Sequence, residues 1–171
     1  MALVVELVSP ESVAYTGEAK MVICRTTTGD VAFLPGHVPF IGVLQTHHVR
    51  VLLEEGGEQV IAVHQGFVEV SPPEDGDTRV TILSDVCELA ESIDLARAQE
   101  ALSRAEAALA ADPGDVEAAA AAQRAKVRLS VVAACVRRRC DRRCDAPVVR
   151  RRAAPAGTAR STGRHAADRA G

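Results

Sequence analysis

Residues 29–44, GDVAFLPGHVPFIGVL, set two prolines, Pro35 and Pro39, around Gly36 and His37 between apolar runs of β type. Proline locks φ near −65° and withholds a backbone donor, while glycine reaches positive φ without steric cost. Pro35-Gly36-His37-Val38-Pro39 is therefore expected to be a rigid, non-helical loop that the flanking runs enter and leave as strands. Such a block defines a backbone path rather than a catalytic pocket, and an ordinary hairpin turn would satisfy it.

Up to about Ser84 the chain keeps this short-strand character. Residues 3–8, 20–25, 47–53, 59–64, 67–70 and 79–83 are rich in Val, Ile and Leu and bounded by Gly, Pro, Asp, Ser or Thr, the pattern of strands between turns. Val49, Val51 and Leu53 alternate with Arg50 and Leu52, and Glu54-Glu55-Gly56-Gly57-Glu58 reads as a hairpin loop returning to Val60 and Ala62. Strands at this spacing predict a β-sandwich or barrel.

After Glu91 the period changes. Leu95, Ala98, Leu102, Ala105 and Leu109 recur at steps of three and four, one stripe of a helix, with Ser92 or Asp94 placed to cap its start. The string ADPGD at residues 111–115 breaks that helix, because Pro113 cannot continue it and Gly114 suits a reversal. A second helix is expected from Asp115 to about Ala134, with Val116, Ala120, Gln123, Val127 and Val131 facing back, so that the pair forms an antiparallel hairpin. Residues 118–122 are all alanine. Alanine favours the helix and buries little area, so this helix should form readily and dock weakly, as a detachable element needs. A permanently packed hairpin fits the same pattern.

The charge divides the chain. Up to residue 132 there are nine Lys and Arg against twenty Asp and Glu, net −11; beyond it eleven Arg face three Asp, net +8, which together give −3. The basic segment has too few large apolar residues to offset the entropy of ordering. The expected class is thus α+β: a β-sandwich over residues 1–88, a helical hairpin over 91–134, and a basic tail over 135–171 that is disordered by default.

Composition excludes several functions. The only aromatics are Tyr15, Phe33, Phe40 and Phe67, too few to build a base-stacking platform. No apolar run approaches the roughly 20 residues of a membrane helix, and MALVVELVSPES lacks the basic start of a signal peptide, so a soluble protein of the cytosolic side is expected. There is no GxxxxGK[ST] loop, nucleophile elbow or HExxH pair. Cys24 and Cys87 read as small buried hydrophobes. Cys135, Cys140 and Cys144, with His165 beyond, have spacings that match no standard zinc knuckle, so no metal is expected. The tail's excess charge suits a nucleic-acid or anionic-surface binder as the rival reading, though the acidic body offers no surface for reading bases.

Two strings carry a resemblance. The loop block with its approach AKMVICRTTTGD, residues 19–30, resembles the signature of epsilon subunits of bacterial-type rotary ATP synthases. Ile93-Asp94-Leu95-Ala96-Arg97-Ala98 is similar to the Ile/Leu-Asp-x-x-Arg-Ala pattern of those members whose folded hairpin binds ATP. From the residues alone, Asp94 and Arg97 are simply a pair three apart on a helix surface.

The resemblance implies a non-catalytic part of the central rotary stalk, peripheral on the cytoplasmic face of the bacterial membrane and attached to it only through the complex. The sandwich would bind the gamma subunit and the c-ring, with Pro35, Gly36, His37 and Pro39 at that interface. The hairpin would either fold on the sandwich or extend into the alpha/beta head, where Arg124, Lys126, Arg128 and Arg137 would meet acidic beta surface and block hydrolysis. No cofactor would be required, and nucleic acid would not be a partner. ATP would be a regulatory ligand held by Ile93, Asp94, Arg97 and Ala98, with Arg124 and Arg128, which lie four apart, on its phosphates. Two features depart from the family: the acidic connection at residues 71–78 is long, and the tail from about Cys135 has no counterpart.

Overall fold

The computed structural model describes residues 2–10, 13–71 and 76–144, with side chains as far as Arg137. Its strands are β1 (Leu3–Val8), β2 (Val13–Ala19), β3 (Met21–Thr26), β4 (Gly29–Phe33), β5 (Phe40–Leu44), β6 (His47–Leu52), β7 (Glu58–Val63), β8 (Gly66–Ser71), β9 (Thr78–Leu83) and β10 (Cys87–Leu89). Two helices follow, α1 (Leu95–Ala111) and α2 (Val116–Cys144). The strands run in the order β10-β7-β6-β3-β5-β8-β9-β1-β2, with β4 paired to β3 off this path. Neighbours are antiparallel except β1 and β9.

A single residue pair, Thr26 with Leu44, joins β3 to β5. The sheet folds over at that break. Because successive side chains of a strand point to opposite faces, every second residue of both halves can meet inside: Leu3, Val5 and Leu7 of β1, Val49 and Val51 of β6, Val68 and Val70 of β8, and Val80 and Ile82 of β9 share one buried cluster with Phe33. The predicted sandwich is present. The six strands read from the sequence are all found, while β2 and β10 went unread: β2 is an edge strand containing Gly17 in which Ala19 alone is buried, and β10 has only three residues.

One strand departs from alternation. In β7, Val60, Ile61, Ala62 and Val63 are all buried. Ile61 and Val63 point into the sandwich, whereas Val60 and Ala62 lie under Val127 and Val131 of α2, with Ala90 and Ile93 at the margin. A strand buried on both faces loses its polar alternation.

The helical hairpin forms, with three corrections to its expected detail. First, α2 continues ten residues past Ala134, to Cys144, since residues 135–144 contain neither Gly nor Pro. The hairpin thus takes in the start of the segment expected to be a disordered tail; residues 145–171 and His165 lie outside the described residues, as do the side chains of Cys140 and Cys144. Second, the stripe expected to face α1 faces the sheet instead. At 100° per residue, Val127 and Val131 lie opposite Ala118, Ala122 and Ala125. The valines meet β7 and the buried alanines are left for α1, which packs on α2 through its own buried Ala98 and Ala105. Val116 and Gln123 of the expected stripe are exposed, Val116 by 81%, as is Leu95 of the first-helix stripe. Third, Asp94 caps α1 by accepting from the Arg97 backbone N–H at 3.1 Å, and does not pair with its guanidinium. At the reversal, Asp112 accepts from Gly114 N–H at 2.9 Å, and Asp115 caps α2 by accepting from Ala118 N–H at 3.0 Å.

Candidate functional site

The proline-bracketed loop is rigid for the predicted reasons and one more. Gly36 has φ +83, and its N–H donates to the hydroxyl of fully buried Thr78 at 2.7 Å, which ties the loop to the start of β9. The half-buried His37 ring stands edge-on to Phe33, with centroids 5.0 Å apart, and to Phe40 at 6.3 Å. Its Nδ1 lies 2.7 Å from the Val38 carbonyl. His37 thus props the loop from a half-buried position. What the loop presents outward is Leu34, Val38, Gly36 and Pro39.

A second apolar surface lies toward the far ends of β5 and β9. Val43, Phe67 and Leu83 are cross-strand neighbours on β5, β8 and β9, and all three are exposed. They border a cleft of about 860 Å³ that reaches Gln45 and Thr46 and, on α2, Ala120 and Gln123. A row of large apolar side chains left open to water is what a protein partner covers.

The hairpin residues are placed as follows. Ile93 packs at the margin of the α2–β7 cluster and Ala98 is buried between the helices, so neither presents an open pocket; Asp94 caps α1, and Arg97 is exposed. Arg124 pairs with Glu117 of its own helix at 2.8 Å, and Lys126 with Glu106 of α1 at 3.7 Å. Arg128 pairs with Glu88 at 2.6 Å. Arg137 is exposed, its Nε donating to the Ala133 carbonyl at 3.4 Å. Neither Ile93, Asp94, Arg97 nor Ala98 lines the cleft.

Reading the sequence missed the residues at the centre of this arrangement. Glu88 stands opposite Ala62 in the β10–β7 ladder, on the face that α2 covers. Its Oε2 accepts from Arg128 Nε at 2.6 Å and lies 2.9 Å from Nε2 of His64, the residue that ends the β7 run. His64 Nδ1 is buried with no hydrogen-bond partner among the described residues. A buried N–H without an acceptor is costly, and the ring meets Glu88 through its Nε2 side. That bond, followed by Arg128, holds the Glu88 carboxyl below its ordinary range against the opposing effect of burial. The available signal was the unbroken run VIAV before His64, which marks a strand covered on both faces.

Comparison with known proteins follows the same two-part division. The family model "ATP synthase, Delta/Epsilon chain, beta-sandwich domain" matches residues 2–90, and "ATP synthase, Delta/Epsilon chain, long alpha-helix domain" matches residues 91–133. The ATP synthase epsilon chain of Streptomyces griseus is 41% identical over 129 residues, covering 75% of this chain and 94% of that one. That of Thermobifida fusca is 44% identical over 129 residues, covering 74% and 89%. Among solved structures, a chain of the Euglena gracilis mitochondrial ATP synthase (OSCP/F1/c-ring) superposes with a TM-score of 0.58 at 19% identity, covering 79% of this chain and 81% of that one, which is a likeness of fold. Two family matches that meet at the junction of sheet and hairpin, with relatives at about 40% identity over nearly their whole length, establish that the chain belongs to the ATP synthase epsilon-chain family.

Proposed function

We infer that the chain is a non-catalytic rotor subunit of a proton-translocating ATP synthase, in which the sandwich is the fixed part and the hairpin the regulator. The observation that carries this reading is the way the hairpin is attached. The interior of the sandwich is closed by its own two halves, so it keeps its core whether or not the helices are present. α2 meets the sheet through Val127 and Val131, the Arg128 contact and a 3.3 Å bond from Gln123 Nε2 to the Thr46 carbonyl, while α1 packs on α2. An element that rests on a self-sufficient domain through two valines and a few polar contacts can leave it.

Gamma and the c-ring are the partners of the sandwich in this reading. The rigid loop at Pro35, Gly36 and Pro39, propped by His37, and the open row of Val43, Phe67 and Leu83 are the surfaces that fit them. No helix among the described residues is long and apolar enough to cross a membrane; the chain is held at the cytoplasmic face through the complex. When extended, the hairpin presents Arg124, Lys126, Arg128 and Arg137 to acidic beta surface. The first three already hold carboxylates in the folded state, so extension exchanges internal ion pairs for intermolecular ones. ATP fits the same residues by chemistry, with guanidinium forks for its phosphates, but must displace Glu88 and Glu117 to reach them. Regulation by ATP then follows from its preference for the folded hairpin.

The test is made on the assembled enzyme. Removing the residues after Glu91 is expected to leave gamma and c-ring association intact and to raise ATP hydrolysis; assembly with unchanged hydrolysis removes the regulatory role, and loss of assembly removes the division of labour. Titration of the isolated protein with millimolar MgATP should release or absorb heat, and its absence removes the nucleotide from the reading.

A further inference from the structure

We propose that the His64–Glu88–Arg128 contact is a latch that holds the hairpin folded on the sandwich without any nucleotide. The inference rests on the hairpin being the movable element.

One carboxylate oxygen joins three elements. Glu88 belongs to β10, His64 follows β7, and Arg128 is on α2. The buried His64 ring holds the carboxylate from the sheet side through Nε2 and aims it at the helix. Arg128 answers it with a charge-assisted bond, of the kind about twice as strong as a neutral one. The other pairs made by α2 cannot do this. Arg124–Glu117 lies within the helix, and Lys126–Glu106 joins the two helices to each other. Of the described ion pairs, Glu88–Arg128 is the one that ties the hairpin to the sheet.

The latch also sits where it matters most. Val127 immediately precedes Arg128, Val131 lies one turn on, and these two valines provide the apolar contact with Val60 and Ala62. The polar contact is therefore flanked by the only apolar side chains of α2 in that cluster, and half-buried Arg128 is shielded from the water that weakens exposed pairs. A guanidinium engaged in this way is occupied at rest, and the folded hairpin needs no phosphate to neutralise it.

Amide hydrogen exchange on the full-length protein, with nucleotide absent, tests the latch. In Arg128→Gln and in Glu88→Gln the α2 amides around Val127 and Val131 are expected to exchange about tenfold faster, while those of β1 and β9 keep their protection. In the unmodified protein, the α2 amides are expected to be protected already before any MgATP is added. Two results overturn the proposal: α2 exchange unchanged in Arg128→Gln, or α2 in the unmodified protein protected only once MgATP is added. Should Glu88→Gln fail to fold, Arg128→Gln decides alone, since Arg128 lies outside the sandwich core. A hairpin that regulates hydrolysis but is latched otherwise would show activation on deletion with no change in exchange, so the two readings fail separately.

Discussion

Val131 and Val51 are both fully buried, yet truncating each to alanine should damage different things. Val131 belongs to the small cluster between α2 and β7, and Val51 to the interior of the sandwich. Val131→Ala removes two methyl groups, at about 0.8 kcal/mol each for lost burial, and returns about 0.5 kcal/mol because alanine is the better helix former. The net loss is about 1 kcal/mol, drawn from the docking of α2 alone. The undocked population should rise about fivefold, since 1.4 kcal/mol is a factor of ten. Val51→Ala loses the same methyl groups, regains nothing in a strand and leaves a cavity that its neighbours close only in part, for about 2–3 kcal/mol against global unfolding. For a sandwich of this size that lowers the melting temperature by about 10 °C or more. Hydrogen exchange on α2 and thermal unfolding of the sheet, measured on both variants, separate the two effects. Val131→Ala should speed α2 exchange and move the sheet transition by no more than a few degrees. Equal drops in melting temperature for the two variants, with α2 and the sheet exchanging together, would show one cooperative unit and refute a hairpin resting on an independent sandwich.

Three further outcomes are expected. Gly66 has φ +135, and a Cβ there would stand 2.0 Å from the Leu83 carbonyl oxygen, so Gly66→Ala should cost at least about 3 kcal/mol and show a far lower thermal transition; an unchanged one contradicts this turn. The Glu88 carboxyl titrates below its ordinary 4.5 in the folded chain, so its contribution to docking is fully present above that pH and is lost as pH falls through the lowered value; α2 exchange, corrected for intrinsic rate, should accelerate only on that acid side. Burial and Asp30 push the Cys24 thiol up to about 12, so at pH 8 iodoacetamide followed by peptide mass spectrometry should leave Cys24 unmodified in the native protein and modify the partly exposed Cys135.

Local chemistry was sufficient wherever a residue's role depends on its immediate neighbours. Proline and glycine made the loop at residues 35–39 readable, alternation in β6 marked Val49 and Val51 as core, and the change to a period of three and four placed the junction near Ile93, with Ser92 or Asp94 as its cap. Even the family was legible, because its two signatures lie in these locally determined segments. What the chain alone could not decide was which surface covers which. The apolar stripe of α2 was legible at Val127 and Val131, but whether it faced α1 or the sheet depended on where β7 lay, and the alanines on the opposite side turned out to be the interhelical contact. Arg128 read as a solvated or phosphate-binding cation because its partner is 40 residues away in sequence, and nothing in the spacing of His64, Glu88 and Arg128 brings them together. Periodicity reports that a face is buried, through the hydrophobic effect; only the folded chain supplies the surface that buries it and the carboxylate that meets its charge.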